Sequence, residues 1–168
     1  WRGLHHLVSR SETGTSLKLR VMNITRDELQ DDLEKAVEFD QSHVFKLIYE
    51  AEYGTYGGAP YSLLVGDYYF GREPRDISLL EKIAEVAASA HAPFLAAVSE
   101  NMFGLKSFDM LAKPRDLAKI FESAELNPWR GFRDTEDSRY VALTMPRVML
   151  RLPYGEKRLL AEGLRYEE

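Results

Sequence analysis

No cysteine occurs among the 168 residues. That excludes a disulfide framework, a thiolate metal site and a cysteine nucleophile, and it suits a reducing compartment. Long apolar runs are missing too. The longest, Ala92–Val98, falls far short of the ~20 residues that span a bilayer, and nothing at the amino end has the charged-then-apolar succession of a signal peptide. There is no basic surplus either: 22 Lys and Arg stand against 27 Asp and Glu, interspersed along the chain, for a net charge of −5. This balance argues against capture of a nucleic-acid backbone or an anionic membrane. Low-complexity tracts and long linkers are absent. The short echo of WRGL at Trp1 in WRGF at Trp129 has unlike flanks and no fixed period, so it reads as coincidence.

What is present is enough for one core, since a chain of this length buries roughly 68–70% of its unfolded surface. Trp1–Val8 carries Leu4, Leu7 and Val8 at helical spacing. In Ser16–Ile24, Leu17, Leu19 and Val21 alternate with Lys18 and Arg20, which predicts a first strand with one wetter face. Thr25 with Glu28 forms a capping box, and Leu29, Leu33 and Val37 follow at i, i+4 and i+8, predicting a helix to about Phe39. Ser42–Tyr53 predicts a second helix, with Val44, Phe45, Ile48 and Ala51 on one side and Gly54 as a left-handed cap.

A short strand is expected at Tyr61–Val65, ending in Gly66 and Asp67. Asp76 is placed to cap the next helix, whose stripe is Leu80, Ile83, Ala84, Ala87 and Ala90. Pro93–Val98 is apolar throughout, as a central strand covered on both faces would be. Helices are predicted near Ser107–Leu111, Pro114–Phe121 and Pro128–Arg133, then a strand at Tyr140–Met145 ended by Pro146. Strands separated by helices predict an α/β fold, a helix-flanked and mainly parallel sheet.

The chemistry-bearing patterns are weak. Gly54–Gly58, GTYGG, follows a helix and lacks the Gly-Lys-Ser/Thr ending of a phosphate loop, so it reads as a turn anchored by Tyr53 and Tyr56. Asp67 is the sharper candidate. Carboxyl ends of parallel strands are where open α/β sheets bind ligands, and Asn23, Ser99 and Thr144 are expected at neighbouring strand ends. Yet Asp67 is followed by Tyr68, Tyr69 and Phe70, with no second carboxylate to share a metal, so a turn-stabilising role is the stronger reading. His5, His6, His43 and His91 form no HxxxH or HExxH pattern, and no GxSxG elbow occurs. His91 belongs to the AHAP turn. Arg130, Arg133, Arg139, Arg147 and Arg151 gather toward the carboxyl end among Asp134, Glu136, Asp137, Trp129, Phe132 and Tyr140. The acids offset a nucleic-acid footprint, which leaves internal packing or a subunit contact.

The segment Asp137–Gly155, DSRYVALTMPRVMLRLPYG, is architectural in character: an apolar run stops at a proline and resumes between two arginines, with no nucleophile, base or ligand set. Together with WRGL at Trp1–Leu4, EKAVEFDQS at Glu34–Ser42, EYGTYGG at Glu52–Gly58 and AHAPFLAAVS at Ala90–Ser99, it resembles the large sheath subunit of bacterial type VI secretion systems, the TssC/VipB/ImpC/EvpB family. The similarity runs end to end, and the family's chains are much longer. The expectation is therefore an internal piece, roughly the first half of such a protein without its extreme amino end. Residues 1–155 would be the globular sheath core and 156–168 the start of the following segment.

The resemblance implies a fold related to contractile phage-tail sheaths and a structural role without catalysis. In that family the large subunit pairs with a smaller TssB/VipA-like subunit, and the pairs stack with neighbouring sheath subunits into a helical sheath around a tube of Hcp protein. The ATP-driven ClpV unfoldase recycles the contracted form. All of this implies a bacterial cytoplasmic location without cofactor, metal, nucleic acid or membrane insertion. The family's tube-facing helices and strand-exchanging arms lie mainly outside this stretch, so no contact residue carries over, and no catalytic, cofactor-binding or metal-binding residue is assigned. The competing reading is a small α/β enzyme domain binding a nucleotide or metal at the Asp67 strand edge.

Overall fold

The computed structural model describes residues 2–112 and 116–147. Three parallel strands form one sheet in the order β1-β2-β3: β1 Leu64–Phe70, β2 Phe94–Val98 and β3 Val141–Thr144. The apolar run at Pro93–Val98 is the central strand, as its composition requires. The helices are α1 Arg2–Arg10, α2 Arg26–Lys35, α3 His43–Phe45, α4 Pro74–Ser89, α5 Leu117–Ile120 and α6 Asn127–Arg133, with several single 3₁₀ turns between them. The α/β class holds. Pro114 and residues 148–168 lie outside the described residues, as do Arg151 and the boundary expected at 155.

The core lies between the sheet and α4. Leu80, Ile83, Ala84 and Ala87 form the expected buried stripe, joined by Ile77, Leu79 and Val86, and they meet Phe70, Phe94, Ala96 and Val98 from the sheet. Leu29 and Leu33 of α2, Val44 and Phe45 of α3 and Phe132 of α6 close the same cluster. Gly66 leaves room for the Phe94 ring: a Cβ there would stand 2.5 Å from it.

The register of β1 on β2 slips. Val65 pairs with Leu95 and Tyr69 with Ala97, so four residues of β1 span what two of β2 span. An even slip preserves the side on which each residue points, where a single extra residue would have turned the strand's outer row inward. Alternation accordingly persists from Leu64 to Phe70, which is fully buried.

Four expectations change. Ser16–Ile24 is not a strand: it runs without ladder partners, with Leu17, Leu19, Val21 and Met22 exposed, Val21 at 65%. Alternation sets where side chains point; it cannot supply a neighbouring strand. The capping box is present, Thr25 accepting from the Glu28 N–H at 3.2 Å and Glu28 accepting from the Thr25 N–H at 2.8 Å, but α2 ends at Lys35 and Val37 is 87% exposed. The second helix widens after α3 into a π-helical stretch, Lys46–Tyr53, whose Tyr49 stacks on Phe45 of α3 at 4.9 Å and on Tyr53 at 5.2 Å, and Ala51 is exposed. Gly54 ends it in a right-handed conformation (φ −81°) while Gly57 takes the positive φ of +81°. Lastly, β1 begins later and extends past the expected Tyr61–Val65, to Phe70.

Candidate functional site

The shift of β1 decides the fate of Asp67. It sits in mid-strand and is exposed, three residues short of the carboxyl end at Phe70, so it does not reach the sheet edge where ligands bind in open α/β folds. Beside it, Arg26, Tyr68 and Tyr69 line a shallow open depression of about 300 Å³. Tyr68 donates its hydroxyl to the Ile24 carbonyl at 2.7 Å, and burial followed by the nearby Asp67 charge pushes its phenol pKa up, keeping it protonated. Among the described residues, the depression presents one carboxylate, Asp67, and no convergent set of polar groups.

The carboxyl ends of the strands are occupied by structural bonds. Asp76 was expected as the helix cap, but Glu73 holds that position without a side-chain bond. Asp76 is the third residue of α4, buried, and its carboxylate accepts from the Gly71 N–H at 2.6 Å and from Arg26 Nη1 at 2.9 Å. Sequence reading missed this cluster because Arg26 and Asp76 are brought together only by folding. Ser99 accepts from the Asn101 N–H at 3.3 Å, capping a 3₁₀ turn, and its own N–H donates to the Phe70 carbonyl at 2.8 Å. Thr144 donates to the Ala96 carbonyl at 3.1 Å, which ties β3 to β2. Asn23 is exposed on the unpaired stretch. The row imagined along the strand ends is thus not assembled.

The glycine loop is a turn, held by a carboxylate. Glu52 accepts from the Ala59 N–H at 2.9 Å and pairs with Arg20, which lowers its pKa through both bonds. A carboxylate already holds the backbone N–H that follows the glycines, where a phosphate cradle would offer its donor to a ligand. Gly58 is required by contact, since a Cβ there would lie 2.1 Å from the Glu52 carbonyl oxygen. Tyr53 anchors the turn by stacking on Tyr49. Tyr56 does not, being fully exposed at 106%.

His91 takes φ +51° in the turn after α4, with Nδ1 3.3 Å from the Tyr140 hydroxyl and its ring 5.8 Å from that of Tyr53. His43 opens α3, its N–H bonded to Asp32. His5 and His6 lie on α1. Among the described residues no group of three His, Cys, Asp or Glu side chains could hold a metal ion.

Several of the carboxyl-terminal arginines, though exposed, have partners within the chain. Arg130 donates to the Phe121 and Glu122 carbonyls at 3.2 and 2.9 Å and to Asn127. Arg139 pairs with Glu136. Arg147 reaches Glu100 at 3.4 Å and lies 4.5 Å above the Tyr69 ring. Arg133 is exposed.

Comparison with known proteins gives the family. All residues, 1–168, match the VipB family, described as EvpB/VC_A0108, tail sheath N-terminal domain. The type VI secretion system sheath protein TssC1 of Pseudomonas aeruginosa is 50% identical over 170 residues, covering 100% of this chain and 34% of that protein. The chain therefore spans about a third of the length of that curated relative. With the whole of its length matched, this chain belongs to the VipB family of type VI secretion sheath proteins.

Proposed function

We propose that the complete protein is a structural, non-catalytic subunit of a type VI secretion contractile sheath in the bacterial cytoplasm. It pairs with a small TssB/VipA-like subunit and stacks with neighbouring pairs into a helix around the Hcp tube. The observation that carries this reading is the match of the entire chain to a sheath family, at 50% identity to a sheath protein. The side chains support it: polar groups at the strand ends close the fold.

Contraction would then be a property of contacts between subunits. Packed interfaces switch between discrete arrangements because close-packed surfaces do not deform continuously. A sheath assembled in a metastable arrangement shortens cooperatively when its interfaces pass to the one of lower free energy, and the tube inside is driven forward to deliver effectors. The ClpV unfoldase then returns subunits to the pool.

Co-expression of the full-length protein with its small partner tests the reading. Tubes visible by electron microscopy, or a stable heterodimer, are the expected result. Monodisperse monomers indifferent to the partner would sink it.

A further inference from the structure

Among the described residues the sheet is covered on one face only. On the other, β1, β2 and β3 align two rows: Val65 with Leu95 and Ala142, and Tyr69 with Ala97 and Thr144. Val65 is 63% exposed and Tyr69 43%, Ala142 and Thr144 are exposed, and Leu95 and Ala97 are half-buried. The cause is topological. The connection from β1 to β2 carries α4, that from β2 to β3 carries α6, and these two helices pack on each other. Both connections step the same way across the sheet, and crossovers of one hand that step one way lie on one face. The π-helical stretch and α2 also pack on α4.

Parallel sheets are covered on both faces, and their central strands are apolar throughout for that reason. β2, FLAAV, has that composition on the open side as well as the closed one. From these observations we infer that the open face is covered, in the complete protein, by a segment of the same polypeptide beyond residue 168. Two facts favour the same chain over a partner or a second copy. The matched region is an N-terminal domain and amounts to 34% of the sheath relative's length, so ample chain follows it. Arg147, which follows β3 in the chain, reaches this face, its guanidinium over Tyr69. The inference rests on family membership and topology and is independent of contraction.

The test uses the full-length protein purified with its small partner, carrying Ala142→Cys, with Val65→Cys as a second variant and Val37→Cys as the exposed control. The unsubstituted protein sets the background. Maleimide labelling under native conditions is expected to be roughly ten-fold or more slower at 142 and 65 than at 37, as for groups reached only by local opening. A benzophenone maleimide attached at 142 or 65 in unfolded chain, which is then refolded and irradiated, is expected to cross-link to residues beyond 168. An equal mixture of ¹⁴N- and ¹⁵N-labelled chains identifies such links as intramolecular by mass spectrometry. Labelling as fast as at Val37→Cys would overturn the inference. So would cross-links to a second copy, to the small partner or to residues within 1–168.

Discussion

Asp76 is buried at the start of α4, and two donors depend on it: the Gly71 N–H, itself buried, and Arg26. The ion pair contributes little, because the Arg26 side chain is 36% exposed and such pairs are screened by solvent. The main loss on substitution is the stranded amide. Asp76→Ala should therefore destabilise the full-length protein by about 1–3 kcal/mol, the cost of an unsatisfied buried donor, with Arg26→Ala costing less in the same denaturant titration. Glu85 carries the opposite lesson. Burial first, then the charge of Asp137 with Glu81 and Glu38, pushes its pKa above the ordinary glutamate value, against the pull of Lys82. The folded state then holds the proton to higher pH than the unfolded chain, so stability falls as pH rises from the ordinary range through the raised value. Glu85→Gln should raise the melting temperature at pH 7, and the gain should vanish in acid below the ordinary glutamate range. An equal gain at both pH values would refute this account.

Elements differ in how far they were legible. The start of α2 was, because a capping box is a local device: Thr25 and Glu28 satisfy each other's backbone donors within one turn. The stripe of α4 was legible for the same reason, periodicity acting along one helix. Asp76 was misplaced by three residues because Pro74 begins α4 and leaves Glu73 in the cap position. Ser16–Ile24 has the pattern of a strand and none of the ladder. β1 was seen in part, and its true end mattered most, since it moved Asp67 from the strand terminus to the middle. Gly66 shows what holds that strand in place. The Phe94 ring fills the space over it and meets Phe70 edge-on at 6.3 Å, so Gly66→Ala must displace a packed ring. A loss of about 1–3 kcal/mol is expected, as for overpacked cores, measurable by thermal melting. No change would mean that the ring has room to move.

At the scale of the whole molecule, the described residues make one sheet, one helical layer and one uncovered face. Among the described residues, the groups that the Asp67 reading needed are dispersed. Asp67→Ala should leave tube assembly unchanged, and ATP, GTP or Mg²⁺ should produce no Asp67-dependent thermal shift. A ligand present at 100 times its dissociation constant would stabilise by roughly 2.7 kcal/mol, so an authentic site would be visible. By itself the sequence determined the α/β class, the central strand, the stripe of α4 and the family, because composition, period and local caps act over a few residues and the family motifs are spread along the whole chain. Tertiary structure alone decided which extended segments found partners, where β1 ends, that Arg26 and Asp76 meet across 50 positions, and that both crossovers lie on one side of the sheet. Those outcomes depend on contacts between residues far apart in the chain, which no local pattern encodes.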